Sequence, residues 1–272
     1  MKRLLLFALA LLLPAGLVTS VEASASASTP FSFSTTPALS PAFYSGLYWY
    51  AVRCASSPST TISTSGSGYV KIGNHEYRSG STVSVPLTAG QAVTVHQVRR
   101  GAPTYTVRCL PSDFPTYTAA VYGNGQAPGA LVTPSGPGNY VIDFDKFGVP
   151  VWWAPGGGGG DAKFLSPTQI AWWTPSTQAG SCPATTGFGH GQYTIHNLDD
   201  STVVTIGQDG LGGEALDTHD FQVLPNGDYL GIEYKCGYTA DLSSWGGSTT
   251  NPIVDCFIVE LDPQGNMVWS WD

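Results

Sequence analysis

Between Phe31 and Pro115 the chain alternates apolar and polar residues in short runs: YWYAVRC, GYVKIGNHEY, STVSVPL, QAVTVHQV and TYTVRCL. A period of two sends successive side chains to opposite faces, so each run predicts a β-strand with one buried face. Gly, Ser and Pro separate the runs and supply the turns. Strands at this spacing, with a cysteine towards each end of the segment, predict an antiparallel β-sandwich over residues 28–118, pinned by a disulfide between Cys54 and Cys109. His75 and His96 fall in strand or turn contexts and read as ordinary surface or hydrogen-bonded residues.

A boundary falls between Asp113 and Pro128, where SDFPTYTAAVYGNGQAPG mixes Pro, Gly and small residues, and beyond it the chain repeats itself. VIDFDKFGVPVWW (141–153) matches IVELDPQGNMVWSW (258–271) with Asp145 on Asp262, Gly148 on Gly265 and Trp152 on Trp269, each pair 117 residues apart. IHNLDDSTVVTIG is a weaker copy between them, with Leu198 and Asp199 in place of Phe144 and Asp145, so the period is near half that distance. In the two stronger copies a strand meets a turn of the form Asp, two residues, Gly, and a second strand follows, which describes a hairpin. AKFLSPTQIAWW and DFQVLPNGDYLGIEY supply a further hairpin after the first and second copies.

Two hairpins make a four-stranded blade, and such units stack because none buries its apolar faces alone. Residues 119–272 therefore predict an incomplete β-propeller of about two and a half blades, where whole propellers typically have four to eight. The third copy starts near Cys256 and stops after one hairpin, with Val268, Trp269 and Trp271 on an open strand edge. The expectation is an all-β chain whose propeller continues beyond Asp272.

Composition narrows the setting. Lys2 and Arg3 precede an apolar run from Leu4 to Leu13, followed by Ala23, Ala25 and Ala27, which predicts a signal peptide over residues 1–27 and a secreted protein with no membrane span after cleavage. Only 11% of residues are charged while Gly, Pro, Ser and Thr abound, which disfavours long amphipathic helices. The net charge of −8 removes nucleic acid as a partner class. No two of the five cysteines form a CxxC pair, so disulfides rather than a metal site are expected; the arrangement of Cys182, Cys236 and Cys256 stays open.

The stretch EALDTHDFQVLPNGDYLGIEY, from Glu214 to Tyr234, resembles the arylsulfotransferase propeller family, in which a His-Asp or His-Glu pair precedes a strand and a Pro-Asn-Gly type turn. DFDKFGVPVWW and ELDPQGNMVWSWD resemble that family's blade hairpins, and GNGQAPGALV its lead-in. The resemblance implies transfer of a sulfuryl group from a phenolic sulfate ester to a phenol through a histidine intermediate, with small aryl sulfates and phenols as partners and no cofactor. His219 matches the early-blade histidine that would bind the sulfate or stabilise the departing oxygen; the nucleophilic histidine and an arginine belong to later blades. Histidine suits either part, and donors aimed at developing charge act as preorganised catalysts. Asp217 and Asp220 flank His219 and either orient its ring or cap turns. His190, in GFGHGQY, is a loop candidate for substrate contact, and His196 reads as packed in a strand.

Other signals lead elsewhere. Gly156–Gly160 lacks the Lys and Ser or Thr of a phosphate loop, and Asp143, Asp145 and Gly148 lack the remaining ligands of a calcium loop. Trp152, Trp153, Trp172 and Trp173 read first as packing residues. Two further functions fit the same pattern: a non-catalytic propeller that binds glycans or proteins, and a quinone-dependent dehydrogenase with calcium, whose Trp repeat LDPQGNMVWSW resembles.

Overall fold

A computed structural model describes residues 30–54, 59–119, 129–136, 138–157, 159–176, 191–199, 201–207, 211–212 and 215–272. The expected signal peptide, His190 and Cys182 lie outside the described residues. Described residues form an all-β structure of several sheets, none closed into a barrel. No helix among them is long and apolar enough to cross a membrane.

The N-terminal region contributes β1 (Ser32–Thr36), β2 (Trp49–Val52), β3 (Ser59–Ser65), β4 (Tyr69–Ile72), β5 (His75–Arg78), β6 (Thr82–Pro86), β7 (Ala92–Gln97) and β8 (Thr104–Cys109). They build a three-stranded sheet, β1-β3-β6, and a five-stranded sheet, β2-β8-β7-β4-β5. Alternation decides which side chains meet: Thr60, Ile62 and Thr64 of β3 are buried, as are Val93 and Val95 of β7 and Tyr105, Val107 and Cys109 of β8. Both sheets feed one core, where Phe33, Phe43, Tyr50 and Tyr105 crowd with ring centroids 5.0 to 6.4 Å apart.

One feature departs from the expected antiparallel sandwich. β2 runs parallel to β8, from Trp49 opposite Thr106 to Val52 opposite Cys109. A parallel pair needs a long crossover, and strands β3 to β7 provide it, so the first strand of this sheet returns beside the last. The expected bridge closes that pair: Cys54 and Cys109 are disulfide-bonded with Cα atoms 5.6 Å apart.

Beyond residue 119, β9 (Gly129–Val132), β10 (Tyr140–Asp145) and β11 (Pro150–Pro155) form a three-stranded antiparallel sheet. Its hairpin turn reaches into the first region, where Val149 is buried in the core and Phe147 packs against it. Arg53 donates to the carbonyls of Phe114 and Pro115, and the Tyr140 hydroxyl to Asp113, which ties the junction together. A larger sheet holds β12 (Ala162–Ser166), β13 (Gln169–Pro175), β14 (Gly191–Asn197), β15 (Thr202–Gly207), β16 (Leu211–Gly212), β17 (Leu216–Val223), β18 (Tyr229–Ala240), β19 (Asn251–Leu261) and β20 (Met267–Trp271).

The repeating turns form as their chemistry dictates. The Asp145 carboxylate accepts from the amides of Phe147 and Val149, and the Asp262 carboxylate from those of Gln264 and Asn266. Gly148 and Gly265 follow with φ of 74° and 84°, a region glycine enters without steric cost. The grouping of hairpins differs from the sequence expectation. β12, β13, β14 and β15 pair in succession, as do β17, β18, β19 and β20, and among the described residues a single ladder pair, Gly191 with Leu216, joins the two runs. The hairpin DFQVLPNGDYLGIEY therefore belongs with the third repeat copy, because β18 and β19 pair along eleven positions. The repeat has the expected parts in a phase shifted by one hairpin.

Candidate functional site

The candidate residues sit where β17 breaks register. Leu216 pairs with Glu233 and Phe221 with Gly231, so five steps along β17 match two along β18. The extra residues, within Asp217 to Asp220, bulge out of the ladder, a device that re-aims side chains beside functional sites. Phe221 anchors the far end of the bulge. Its ring stacks on Tyr193 at 4.4 Å and on Tyr229 at 5.6 Å inside the core of the large sheet.

Alternation alone would put Asp217 and His219 in like environments; the bulge separates them. The Asp217 side chain is 1% exposed and the His219 ring 71% exposed. Asp217 Oδ1 accepts from the His219 amide at 3.0 Å and contacts Nδ1 of the same ring. With Nδ1 committed, Nε2 is the ring nitrogen left to face a ligand. Among the described residues Asp217 Oδ2 is buried with no hydrogen-bond partner, and the carboxylate is met there by the imidazole and one amide.

A second charged group lies alongside. Lys163, on β12, bridges Asp161 at 2.9 Å and Asp220 in close contact. Burial pulls the lysine pKa down, but hydrogen bonds to Asp220 and Asp161 outweigh it and hold the value raised. The Lys163 bond is the main reason the Asp220 pKa is lowered, aided by Gln222 and the Phe221 amide. Backbone hydrogen bonds fasten this group to the bulge: the Asp161 amide donates to the Thr218 carbonyl, and the Trp173 amide to that of Asp161, each at 2.9 Å. The Tyr193 hydroxyl reaches Asp161 at 3.4 Å, and its pKa is raised by burial first and then by Asp161, Asp217 and Asp220.

On the other side, Tyr234 and Cys256 face each other across β18 and β19. Burial raises both pKa values, and the Asp217 charge raises them further. Cys256 is a free, exposed thiol, whereas Cys236 is disulfide-bonded. A small cleft of about 180 Å³ opens next to the bulge, between Asp220 and Gln222 on one wall and Ile258 on the other.

The structure thus gathers Asp217, His219 and Asp220, while His190 lies outside the described residues. His196 packs against Trp172 and Trp152, with centroids 5.3 and 5.9 Å away, as its strand position predicts. Trp152, Trp172 and Trp173 are buried and not disposed to stack on a ligand. Sequence reasoning missed Asp161 and Lys163. Their signal was available: in a chain with so few charges, an acid and a lysine two residues apart open an otherwise apolar hairpin. Among the described residues, no group of three or more His, Cys, Asp or Glu is placed to hold a metal ion. Comparisons with protein-family models, with curated proteins and with solved structures returned no match to this chain.

Proposed function

We propose that the two four-stranded runs are successive blades of a propeller, and that the protein is an aryl-sulfate sulfotransferase-like enzyme in which His219 handles the transferred group. The observation that carries this reading is an exposed imidazole held through Nδ1 by a buried carboxylate in a strand bulge. Such a carboxylate fixes the tautomer and orientation of the ring. As the imidazolium, with its Nδ1–H directed to Asp217, the ring donates from Nε2 to the departing phenolic oxygen as the sulfur–oxygen bond breaks, placing positive charge where negative charge develops. Asp161, Asp217 and Asp220 outnumber Lys163, so the cluster alone is a poor cradle for sulfate. In this reading the nucleophilic histidine that the resemblance assigns to later blades takes the sulfuryl group as the phenolic oxygen leaves and passes it to the acceptor phenol, and the arginine meets the terminal sulfuryl oxygens.

The test is sulfuryl transfer from 4-nitrophenyl sulfate to a phenol by the product of the gene. His219→Ala should lower the rate by roughly 10²- to 10³-fold, the usual effect of losing one such donor, and should also lower thermal stability because it leaves the buried Asp217 carboxylate without the imidazole. Asp217→Asn should lower it about tenfold or more through loss of ring orientation. Unaltered rates in both variants would refute the assignment.

A second reading is a binding propeller without catalysis. It is favoured by β20, all of whose residues are exposed, Trp269 and Trp271 included. It requires that no turnover be measurable and that His219→Ala leave ligand binding unchanged.

A further inference from the structure

We infer that the open side of the N-terminal sandwich is a binding site for an uncharged sugar ring, independent of the proposed transfer. β5 is the last strand of the five-stranded sheet and β6 the last of the three-stranded sheet, and no strand among the described residues closes the gap between them. A cavity of about 340 Å³ occupies that gap, within the roughly 300–1,000 Å³ of small-molecule sites. Buried Ile72 and Val93 form its floor, with Val85 of β6 and Tyr77 of β5 on its two sides. Alternation fixes what else the cavity meets. His75 pairs with Ile72 and Tyr77 with Val70, and both partners belong to the core, so the histidine and the tyrosine take the inner face of β5. Glu76 pairs with Lys71 and Arg78 with Tyr69 on the outer face. The strand sends its charges away from the cavity and its imidazole and phenol towards it.

The lining decides the ligand class. Asn74, in the turn between β4 and β5, adds an amide, and among the described residues no hydrogen bond engages the Asn74, His75 or Tyr77 side chain. An amide, a neutral imidazole and a phenolic hydroxyl can each donate and accept. They match a ligand whose own polar groups do both, which is the property of hydroxyls. No lysine, arginine or carboxylate lines the cavity, so an ionised ligand would leave water for a site without a counter-charge. A purely apolar ligand would strip water from the three polar side chains and return no hydrogen bond. A pyranose meets both conditions, its C–H face on the aliphatic floor and the Tyr77 ring and its hydroxyls on Asn74 and His75. One ring also suits a volume near the lower end of that range.

The test is ligand-observed NMR titration of the full chain with the methyl glycosides of glucose, galactose and N-acetylglucosamine, with cyclohexanol and glucuronate as controls. At least one glycoside should bind saturably and more tightly than either control. Asn74→Ala and His75→Ala should each weaken that binding about tenfold, the effect of losing one hydrogen bond. Val85→Phe, which fills the cavity from the β6 side, should weaken it further. Asn74 and His75 are exposed, and Gly73 rather than Asn74 takes the positive φ of the turn, so circular dichroism should show the fold retained in both alanine variants. Glu76→Gln, on the outer face, should bind as the parent does. No saturable binding of any of the three glycosides, equal binding by the parent and the Asn74, His75 and Val85 variants, or tighter binding of glucuronate would overturn the inference.

Discussion

The eight N-terminal strands and the run β17–β20 use the same element in opposite ways. In the first region the interior is apolar and aromatic, and its buried polar side chains are threonines, Thr60 and Thr64. In the second, Asp217 and Glu233 are buried while Trp269 and Trp271 stand in the open. Burying a carboxylate costs free energy unless it is paired, and exposing tryptophan forgoes apolar burial. The first region fills its interior with apolar packing; the second gives up some of both terms at the place where the candidate residues sit.

Three substitutions probe the contrast, in order of decreasing effect. Phe221→Ala should destabilise the second region by about 3–5 kcal/mol, because the ring fills the stack between Tyr193 and Tyr229. Denaturant unfolding would check it, and a change under 1 kcal/mol would mean that the bulge lacks its anchor. Cys109→Ala should cost about 2–4 kcal/mol in the first region by releasing the denatured chain from its cross-link. Its unfolding transition should shift while the Tyr193 and Phe221 core melts as before; a uniform shift would show that the regions unfold together.

The smallest effect concerns Asp143 on β10. Burial, and then the neighbouring Asp145 charge, push its pKa up from 3.8 to about 6. The folded state therefore binds more protons than the unfolded one between those values, so this group's contribution to stability is present at low pH and is lost as pH rises through about 6. For a half-exposed carboxyl, solvent screening reduces the effect to the order of 1 kcal/mol. Asp143→Asn should accordingly raise Tm at pH 7 to 8 and leave it nearly unchanged near pH 4. Parallel pH profiles for the two proteins would contradict this.

Much of the fold was legible because its signals are local. Alternation marked the strands, and the Asp and Gly of each repeat marked the turns that Asp145 and Asp262 now cap. Pairing partners were less legible, since a period of two says which face a residue takes and not which strand lies beside it. β2 beside β8 and the phase of the hairpins both fall under that gap. The site was half legible. His219 and its two aspartates stood out as residue types, but LDTHDF scans as an ordinary strand, so the bulge that buries one acid and exposes the ring left no mark. Lys163 joins Asp220 from 57 residues earlier, a distance that no local pattern spans.

The clamp between Cys54 and Cys109 also governs how the chain bears load. Pulled from outside the N-terminal region, the covalent path runs through the sulfur atoms, and the segment between the two cysteines carries no tension. β3 to β7, and β8 up to Arg108, lie within that segment and are shielded, whereas β2 lies outside it and carries the tension, with its end pinned to the end of β8 by the bridge. Reduction would return the segment between the two cysteines to the line of tension.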